Sequence, residues 1–295
     1  MAAKVLKALV LGGKHGLVGQ ALVKVLEEKG WDVASVTNAE VDYLSGDFYS
    51  NMSRLLDSTG PAHIFNAVAY SNVEQAEDNE EEASILNKRL PAALGRIAKE
   101  RELPLVHYST DFVFDGRKGA PYTIDDIPAP LNAYGRTKQE GEQALLSLGL
   151  DKCMVIRTAW LFGQGKSNFV RKILGICQEK HEASVVFDQI GSPTYTMDLA
   201  RHTLELVELG ASGLFHIVNS GQANWTELAD EAVRCLQMEC MINPIPASDF
   251  PSKVVRPAYS VLDSTSFTQI TSTTPRPWPQ ALREYLMLEF PVENL

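Results

Sequence analysis

The sequence is poor in the features that mark secreted, membrane-bound and nucleic-acid-binding proteins. It has only four cysteines, which form no Cys-x-x-Cys pair, so we expect reduced thiols and a cytoplasmic protein. No apolar run approaches the roughly 20 residues that a membrane helix needs. The 27 basic residues are outnumbered by 37 acidic ones, and this excess argues against general binding to nucleic acid or to anionic membranes.

Several motifs are also missing. The six histidines include no H-E-x-x-H or H-x-H pair, which argues against a zinc site. Ser109 is not flanked by glycines as in the G-x-S-x-G motif, so the nucleophile elbow of the α/β-hydrolases is absent there. The first eleven residues briefly resemble the start of a signal peptide, but Lys7 splits the apolar run and two glycines follow, so we interpret the segment as a strand.

Short apolar runs alternate with amphipathic stretches through the first two-thirds of the chain. The predicted strands cover residues 5–11, 32–36, 63–67, 103–109, 154–160 and 184–187. The predicted helices between them cover residues 19–29, 80–101, 133–148 and 169–180. Such alternation predicts an α/β fold, with a doubly wound parallel sheet of the Rossmann type. Ligands of such a sheet bind at the carboxyl ends of the strands.

Beyond residue 160 the pattern is less regular, and prolines recur between residues 242 and 279. These prolines predict loops and short elements rather than long helices. We therefore predict a Rossmann domain over residues 1–165, to which strands at about 184–224 return. Residues 166–183 and 225–295 are predicted to form a smaller substrate-binding lobe.

Three glycines, Gly13, Gly16 and Gly19, follow the first predicted strand and open the first predicted helix. Without a Cβ atom, the backbone there can turn tightly and approach a pyrophosphate at the helix N-terminus. The residue that reads the adenine ribose should lie roughly 20 positions further on. Asn38 stands there and can hydrogen-bond a ribose without excluding a phosphate. The sequence therefore predicts NADPH or NADH as cofactor and leaves the choice open.

Tyr134 and Lys138 lie one turn apart within the predicted helix over residues 133–148. Because a nearby ammonium and the first turn of a helix both favour a phenolate, we expect the pKa of Tyr134 to be lowered. A hydroxyl from Thr110 (or Ser109) at a strand end can hydrogen-bond a reacting carbonyl. These side chains predict a reductase that polarises a ketone for hydride attack and protonates the resulting alkoxide.

The ordered motifs resemble those of the extended short-chain reductases that act on nucleotide-linked sugars, most closely the dTDP-4-dehydrorhamnose reductase family. The matching segments are GKHGLVG at 13–19, GDF at 46–48, NAVA at 66–69, HYSTDFVF at 107–114, PLNAYGRTK at 130–138, RTAW at 157–160, DQIGSPT at 188–194, and Arg256-Pro257 with Ser260. The resemblance implies hydride transfer from NADPH or NADH to C4 of dTDP-4-dehydro-6-deoxy-L-mannose, which yields dTDP-L-rhamnose for surface polysaccharide.

The same resemblance implies roles for individual residues. Thr110, Tyr134 and Lys138 would be the catalytic trio, and the last two would also border the cofactor. The other implied cofactor contacts are Gly16, Leu17 and Val18 at the pyrophosphate, Asp47 and Phe48 at the adenine, and Val68, Ala69 and Tyr70 after the third strand. Thr110, Asp111 and Trp160 would contact the sugar. We add Arg256 as a predicted clamp on the diphosphate, because its planar fork suits phosphate oxygens; a surface salt bridge is the alternative.

Two departures from the family pattern affect these expectations. Some members place a glutamate after the glycine turn to help hold Mg²⁺ at a dimer interface, where this chain has Gln20 and Ala21. The sequence thus does not support a bound metal, and both a monomer and a homodimer stay open. Tyr70 stands where a histidine is common. Two other functions fit the pattern: a reductase of another 4-keto-sugar nucleotide, and a non-catalytic regulatory subunit resembling that of methionine adenosyltransferase.

Overall fold

A six-stranded parallel sheet forms the centre of the protein in a computed structural model that describes residues 5–45 and 47–290. The strands of this part of the chain are β1 (Lys7–Leu11), β2 (Asp32–Val36), β3 (His63–Asn66), β4 (Leu105–Thr110), β5 (Cys153–Thr158), β6 (Leu161–Phe162), β7 (Glu182–Val186), β8 (Ile190–Gly191), β9 (Thr194–Tyr195), β10 (Gly213–His216), β11 (Ala223–Asn224) and β12 (Met241–Ile245).

Helices cover both faces of this sheet. They are α1 (Leu17–Glu28), α2 (Asn38–Val41), α3 (Phe48–Thr59), α4 (Val73–Asp78), α5 (Glu80–Ser84), α6 (Leu90–Arg101), α7 (Ala133–Leu146), α8 (Phe169–Lys180), α9 (Thr196–Glu208), α10 (Trp225–Cys235), α11 (Thr265–Thr271) and α12 (Trp278–Glu289). A π-helical turn at Ile85–Arg89 joins α5 to α6, and short 3₁₀ turns lie at Asp111–Val113 and Ala247–Asp249. No helix within the described residues is long and apolar enough to cross a membrane.

The strand order of the central sheet is β10-β5-β4-β3-β1-β2, and every neighbouring pair is parallel. This confirms the predicted doubly wound sheet. The order reverses between β1 and β3, because the chain runs outward from β1 to β2 and then returns to β3 on the other side of β1. An open α/β sheet binds ligands outside the carboxyl ends of its strands at such a point. The loops after β1 and β3 should therefore face a ligand.

Strand β1 shows how the sequence specifies both faces of the sheet. Ala8 and Val10 belong to the buried cluster that contains residues of α1 and α9, whereas Leu9 and Leu11 belong to the cluster that contains residues of α3 and α6. Successive side chains of a strand alternate between faces. Since helices cover both faces, the strand is apolar along nearly its whole length. Full burial of a side chain such as Leu9 stabilises the fold by roughly 1.5–3 kcal/mol.

The last third of the chain differs from the prediction in two places. The apolar run at residues 184–187 forms β7, which pairs with β12 outside the central sheet, and the sixth central strand is β10. The prediction that prolines exclude long helices is wrong for α12, which runs for 12 residues with a proline in its first turn. A proline is tolerated there because the first N–H groups of a helix have no partner within it. The division into two domains stays a prediction.

The expectation that all four cysteines are free thiols is also wrong. Cys177 on α8 and Cys240 just before β12 form a disulfide, with their Cα atoms 5.3 Å apart, whereas Cys153 and Cys235 are free. The pairing of β12 with β7, the strand that follows α8, brings Cys240 beside the helix. The two cysteines are separated by 63 residues in the sequence, so no local motif announces the bond.

Candidate active site

A cavity of about 330 Å³ opens where the loops after β1, β2 and β3 meet, at the point where the strand order reverses. It is lined by Gly12, Lys14, His15, Gly16, Val36, Thr37, Tyr43, Leu44, Ala67, Val68, Ala69, Leu86 and Lys166. Helix α1 begins at its edge, with Gly16 as N-cap and no side-chain cap. A helix N-terminus without its own capping side chain can bind an anionic group, so this end of the cavity fits a pyrophosphate.

The glycine turn owes its shape to close packing. A Cβ atom added at Gly19 would lie 2.3 Å from the carbonyl oxygen of Gly12, so α1 could not pack against the turn with any other residue there. Of the predicted pyrophosphate residues, Gly16 lines the cavity. Gly13, Val18 and Gly19 are buried, and Leu17 is half-buried at the start of the helix.

The residues predicted to contact the adenine and its ribose differ in their exposure to solvent. Asn38 starts α2, but its side chain lies outside the described residues, as does Gly46 of the GDF segment. Asp47 is exposed at the N-terminus of α3, and Phe48 is buried with its ring 6.4 Å from that of Tyr43. Tyr43 and Leu44, which precede this segment, line the cavity.

The loop after β3 supplies another wall of the cavity. Val68 and Ala69 line it, as the resemblance implied for cofactor contacts. Tyr70 is half-buried, and its backbone N–H donates to the side-chain oxygen of Asn87 at 2.9 Å. Its ring packs on the same small alanine cluster as the ring of Tyr134. Tyr134 thus lies close to the loop that lines the cavity.

Thr110, Tyr134 and Lys138 are brought together by β4 and α7. Thr110 ends β4, and Tyr134 lies in the first turn of α7, whose N-cap Asn132 accepts a hydrogen bond from the N–H of Gly135 at 2.8 Å. A Cβ atom at Gly135 would lie 2.2 Å from the carbonyl oxygen of Phe112. The helix can therefore approach the segment after Thr110 only because residue 135 is glycine.

The expected lowering of the pKa of Tyr134 is wrong for the protein without ligands. Burial raises the pKa of Tyr134 to about 12, the Thr110 side chain opposes this by hydrogen bonding, and the charge of Asp111 adds to it. Desolvation outweighs the hydrogen bond to Thr110, because protein surrounds much of this half-buried side chain. Tyr134 is therefore a neutral phenol near neutral pH.

The ammonium of Lys138 is held by the backbone of β4. Its Nζ donates to the carbonyl oxygen of Tyr108 at 2.5 Å, and the side chain is almost completely buried. Burial lowers the pKa of Lys138 to about 8, and the charge of Glu142, one turn further along α7, opposes this. Glu142 is in turn held by two hydrogen bonds from Arg157, of 2.9 and 2.7 Å.

Asp111 adds a second titratable group beside Thr110. Its oxygens accept hydrogen bonds from Ser260 at 2.6 Å and from Thr110 at 3.1 Å. Burial raises the pKa of Asp111 to about 6, although both hydrogen bonds oppose this. Asp111 thus connects Thr110 to the C-terminal part of the chain.

A larger cavity of about 670 Å³ lies between α8, β7 and the segment after β12. Arg256 lines it and forms a 2.8 Å salt bridge with Glu74, which is the alternative considered for this residue. The contact with a diphosphate stays a prediction. The guanidinium Nε of Arg256 is buried and has no hydrogen-bond partner within the described residues. Trp160 does not line this cavity, but its ring stacks on Trp225, which does, at 3.5 Å.

Sequence reasoning missed several residues that line the two cavities. Lys14 and His15 lie inside the glycine motif, and their position alone could have suggested a cavity contact. Tyr43, Leu44, Leu86 and Lys166 line the first cavity without any local motif, and the same holds for Phe169, Lys172, Trp225 and Phe250 in the second. Gln189 lines the second cavity from within the DQIGSPT segment, for which the sequence predicts no site role. These residues come together only through the fold.

The side chain of Gln20 forms a hydrogen bond within its own chain. Gln20 stands where the resemblance implies a glutamate in some family members. Its Nε2 donates to the backbone oxygen of Lys14 at 2.9 Å. Within the part of the chain that the structure describes, no group of three or more His, Cys, Asp or Glu residues could hold a metal ion.

The fold and the arrangement of the site are those expected of an NAD(P)-dependent oxidoreductase. The family described as RmlD substrate binding domain matches residues 7–289, and this chain belongs to that family. The chain is 36% identical over 283 residues to a dTDP-4-keto-6-deoxy-D-glucose reductase of Streptomyces niveus, with 96% of each chain covered. It is 35% identical over 288 residues to a dTDP-4-dehydrorhamnose reductase of Aggregatibacter actinomycetemcomitans, covering 93% of this chain and 97% of the relative.

A solved structure agrees with these similarities. The dTDP-4-dehydrorhamnose reductase of Bacillus anthracis in complex with NADP has a TM-score of 0.91 to this chain at 28% identity, over 96% of this chain and 99% of that one. The predicted family and the predicted fold are thereby confirmed.

Proposed function

We propose that this protein reduces the C4 ketone of dTDP-4-dehydro-6-deoxy-L-mannose to dTDP-L-rhamnose, with NADPH or NADH as reductant and Tyr134 as proton donor. The observation that carries the proposal is the meeting of Thr110, Tyr134 and Lys138 beside the loop that lines the first cavity. A neutral phenol, a hydroxyl and an ammonium on adjoining elements form the set of groups that carbonyl reduction requires.

Each group has a distinct task in this reaction. When bound, the reduced nicotinamide supplies a hydride to C4 of the sugar. Tyr134 donates its phenolic proton to the C4 oxygen, so that the C=O bond becomes CH–OH and a phenolate is left. Thr110 donates a hydrogen bond to the same oxygen as negative charge develops on it, and for this its hydroxyl turns away from Asp111, to which it donates in the structure. The cation of Lys138 favours the resulting phenolate, and its high degree of burial strengthens that interaction.

The second cavity is suited to the nucleotide half of the substrate. Arg256 and Lys172 supply positive charge for a diphosphate, and Phe169, Trp225 and Phe250 supply aromatic surface for a base. Asp111 and the Trp160–Trp225 stack lie nearer the sugar end in this proposal. We further propose a cytoplasmic monomer or homodimer, which sedimentation of the purified protein distinguishes.

The test is oxidation of NADPH and of NADH by the purified protein, with and without enzymatically generated dTDP-4-dehydro-6-deoxy-L-mannose. Sugar-dependent oxidation should occur, and NMR of the product should show dTDP-L-rhamnose. Absence of turnover with this sugar, while the cofactor binds, would contradict the proposal.

A second candidate is reduction of another 4-keto-sugar nucleotide, which the similarity to the Streptomyces niveus enzyme favours. The same assay with dTDP-4-keto-6-deoxy-D-glucose compares the two substrates directly. A larger kcat/KM for this sugar would support the second candidate. Cofactor binding without turnover of either sugar would instead favour a regulatory role.

A further inference from the structure

One wall of the second cavity is a short segment that lies between this cavity and the helix that carries Tyr134. The segment covers residues 252–256, which we call the strap, and it follows β12 along the chain. The members of the strap that line the cavity of about 670 Å³ are Ser252, Val254, Val255 and Arg256. A ligand in this cavity would therefore lie directly against the strap.

Helix α4 anchors the strap at both of its ends. The carboxylate of Glu74 accepts a hydrogen bond from the hydroxyl of Ser252 at 2.6 Å and another from the guanidinium of Arg256 at 2.8 Å. One turn further along α4, Asp78 forms a salt bridge with Lys253. These contacts tie the cavity wall to α4.

The side chain of Asn132 joins the strap to α7. Its Nδ2 donates to the carbonyl oxygen of Val255 at 3.0 Å, while its Oδ1 accepts from the backbone N–H of Gly135 at 2.8 Å. Only 2% of Asn132 is exposed, so both bonds are shielded from water. From α4, Glu77 also accepts from the backbone N–H of Ala133 at 2.7 Å. The first turn of α7 is therefore held by the strap and by the helix that anchors the strap.

We propose that Asn132 is a positioning residue that couples the second cavity to Tyr134: a nucleotide that fixes the strap also fixes the first turn of α7, and with it the phenol. The inference rests on the function proposed above, because it places a sugar nucleotide in this cavity. Enzymes use the binding energy of remote parts of a substrate to orient the groups that react. Asn132 provides a path for this coupling, since one side chain holds both the cavity wall and the helix.

Asn132→Ser separates the two bonds of this side chain. A serine caps a helix about as well as an asparagine does, but its shorter side chain cannot also donate to the carbonyl oxygen of Val255. The variant should therefore fold, and its Kd for NADPH should stay within about twofold of wild type. Its kcat for the 4-keto sugar nucleotide should fall by about tenfold or more, with a smaller change in KM, because misplacing a reacting group by roughly 1 Å costs up to about 100-fold in rate.

Hydrogen–deuterium exchange with dTDP as the probe tests the coupling without turnover. In wild type, dTDP should slow the exchange of backbone amides in the strap and also in the first turn of α7. In Asn132→Ser it should slow exchange in the strap alone. A purely structural cap would give the same response to dTDP in both proteins.

Asn72→Ser is the matched control, because Asn72 caps α4 in the same way, by accepting from the backbone N–H of Gln75 at 3.1 Å, and is exposed to solvent. It should match wild type in both measurements. Equal protection of α7 by dTDP in wild type and Asn132→Ser would overturn the proposal, and so would a wild-type kcat in Asn132→Ser. Binding of dTDP that protects the strap but not α7 in wild type would overturn this inference alone. Failure of wild type to bind dTDP would overturn the proposed function as well, so the two failures are distinguishable.

Discussion

Asp111 shows how a single buried side chain changes the electrostatics of the site. It accepts hydrogen bonds from Ser260 and Thr110 and stands close enough to Tyr134 to raise the pKa of the phenol. Its own pKa is raised to about 6 from an ordinary value of 3.8, because burial disfavours the carboxylate. The folded protein therefore holds this proton more tightly than the unfolded chain does.

This shift predicts how stability depends on pH. The contribution of Asp111 is fully present below about pH 4 and is lost as pH rises through about 6, since the unfolded chain releases the proton first. Asp111→Asn removes this titration. The free energy of unfolding of the variant, relative to that of wild type, should therefore rise between pH 4 and 7 by on the order of 3 kcal/mol. Urea unfolding of both proteins at several pH values measures the difference. If the free energies of unfolding of the two proteins differ by the same amount at every pH, the raised pKa is contradicted. A constant difference is expected in any case, because the variant changes the hydrogen bond with Ser260.

At the residue scale the sequence predicts which side chains meet in the site better than it predicts their pKa values. The spacing of Tyr134 and Lys138 predicts that they share a helix, and α7 confirms this. The direction of the Tyr134 pKa could not be predicted, because it depends on how completely β4, α7 and the chain around Ser260 exclude water. Lys138 likewise donates to a strand carbonyl that no sequence pattern indicates.

Helix α7 illustrates what the packing of one element requires. Its Gly135 faces the carbonyl oxygen of Phe112, and a Cβ atom at Gly141 would lie 2.0 Å from the carbonyl oxygen of Asn87. Both contacts are with backbone atoms, which cannot move aside as a flexible side chain can. The position of Tyr134 is therefore fixed by glycines that carry no chemistry.

Gly135→Ala should displace α7 and lower both stability and turnover. We expect a loss of roughly 1–3 kcal/mol in the free energy of unfolding, the usual scale of overpacking, with a fall in kcat. Gly175→Ala on α8 is the control, because its Cβ atom would have nothing within 4 Å. That change should stabilise the helix by about 0.5–1 kcal/mol. Equal effects of the two substitutions in thermal unfolding and steady-state assays would show that the close approach is unimportant.

Five strands of the central sheet, β1 to β5, were predictable from their short apolar runs, whereas β10 was not predicted. The run that forms β7 has a similar composition, yet it pairs with β12. A short apolar run indicates a strand but does not indicate its partner, which depends on a segment more than 50 residues away in the chain. The prediction of short elements fails at α12 for another reason. A proline interrupts a helix in its interior, but it is tolerated in the first turn, where α12 has one.

At the scale of the whole molecule, the larger cavity is built from segments that lie far apart in the sequence. Residues of α8, β7, α10 and the segment after β12 line it together, and Arg256 joins that segment to α4 through Glu74. The sequence alone predicts Arg256 as a phosphate ligand from its chemistry. It could not predict the cavity, because no local pattern relates these segments.

Arg256→Ala tests the proposed contact with the diphosphate. Loss of the guanidinium should raise the KM for the sugar nucleotide by about tenfold or more, while the Kd of NADPH stays unchanged. Arg89→Ala is a suitable comparison, since Arg89 also forms a 2.8 Å salt bridge with a glutamate but lines neither cavity. If both variants keep the wild-type KM, Arg256 serves only its salt bridge with Glu74.

The most direct test of the account is single-turnover reduction of the 4-keto sugar nucleotide by Tyr134→Phe, with cofactor affinity measured on the same samples. The variant should bind NADPH as wild type does and reduce the sugar at least about 100-fold more slowly, since a general acid contributes rate on this scale. Tyr195→Phe, which removes a buried hydroxyl that has no hydrogen-bond partner within the described residues, should react at the wild-type rate. A wild-type rate in Tyr134→Phe would contradict the central claim that this phenol protonates the sugar.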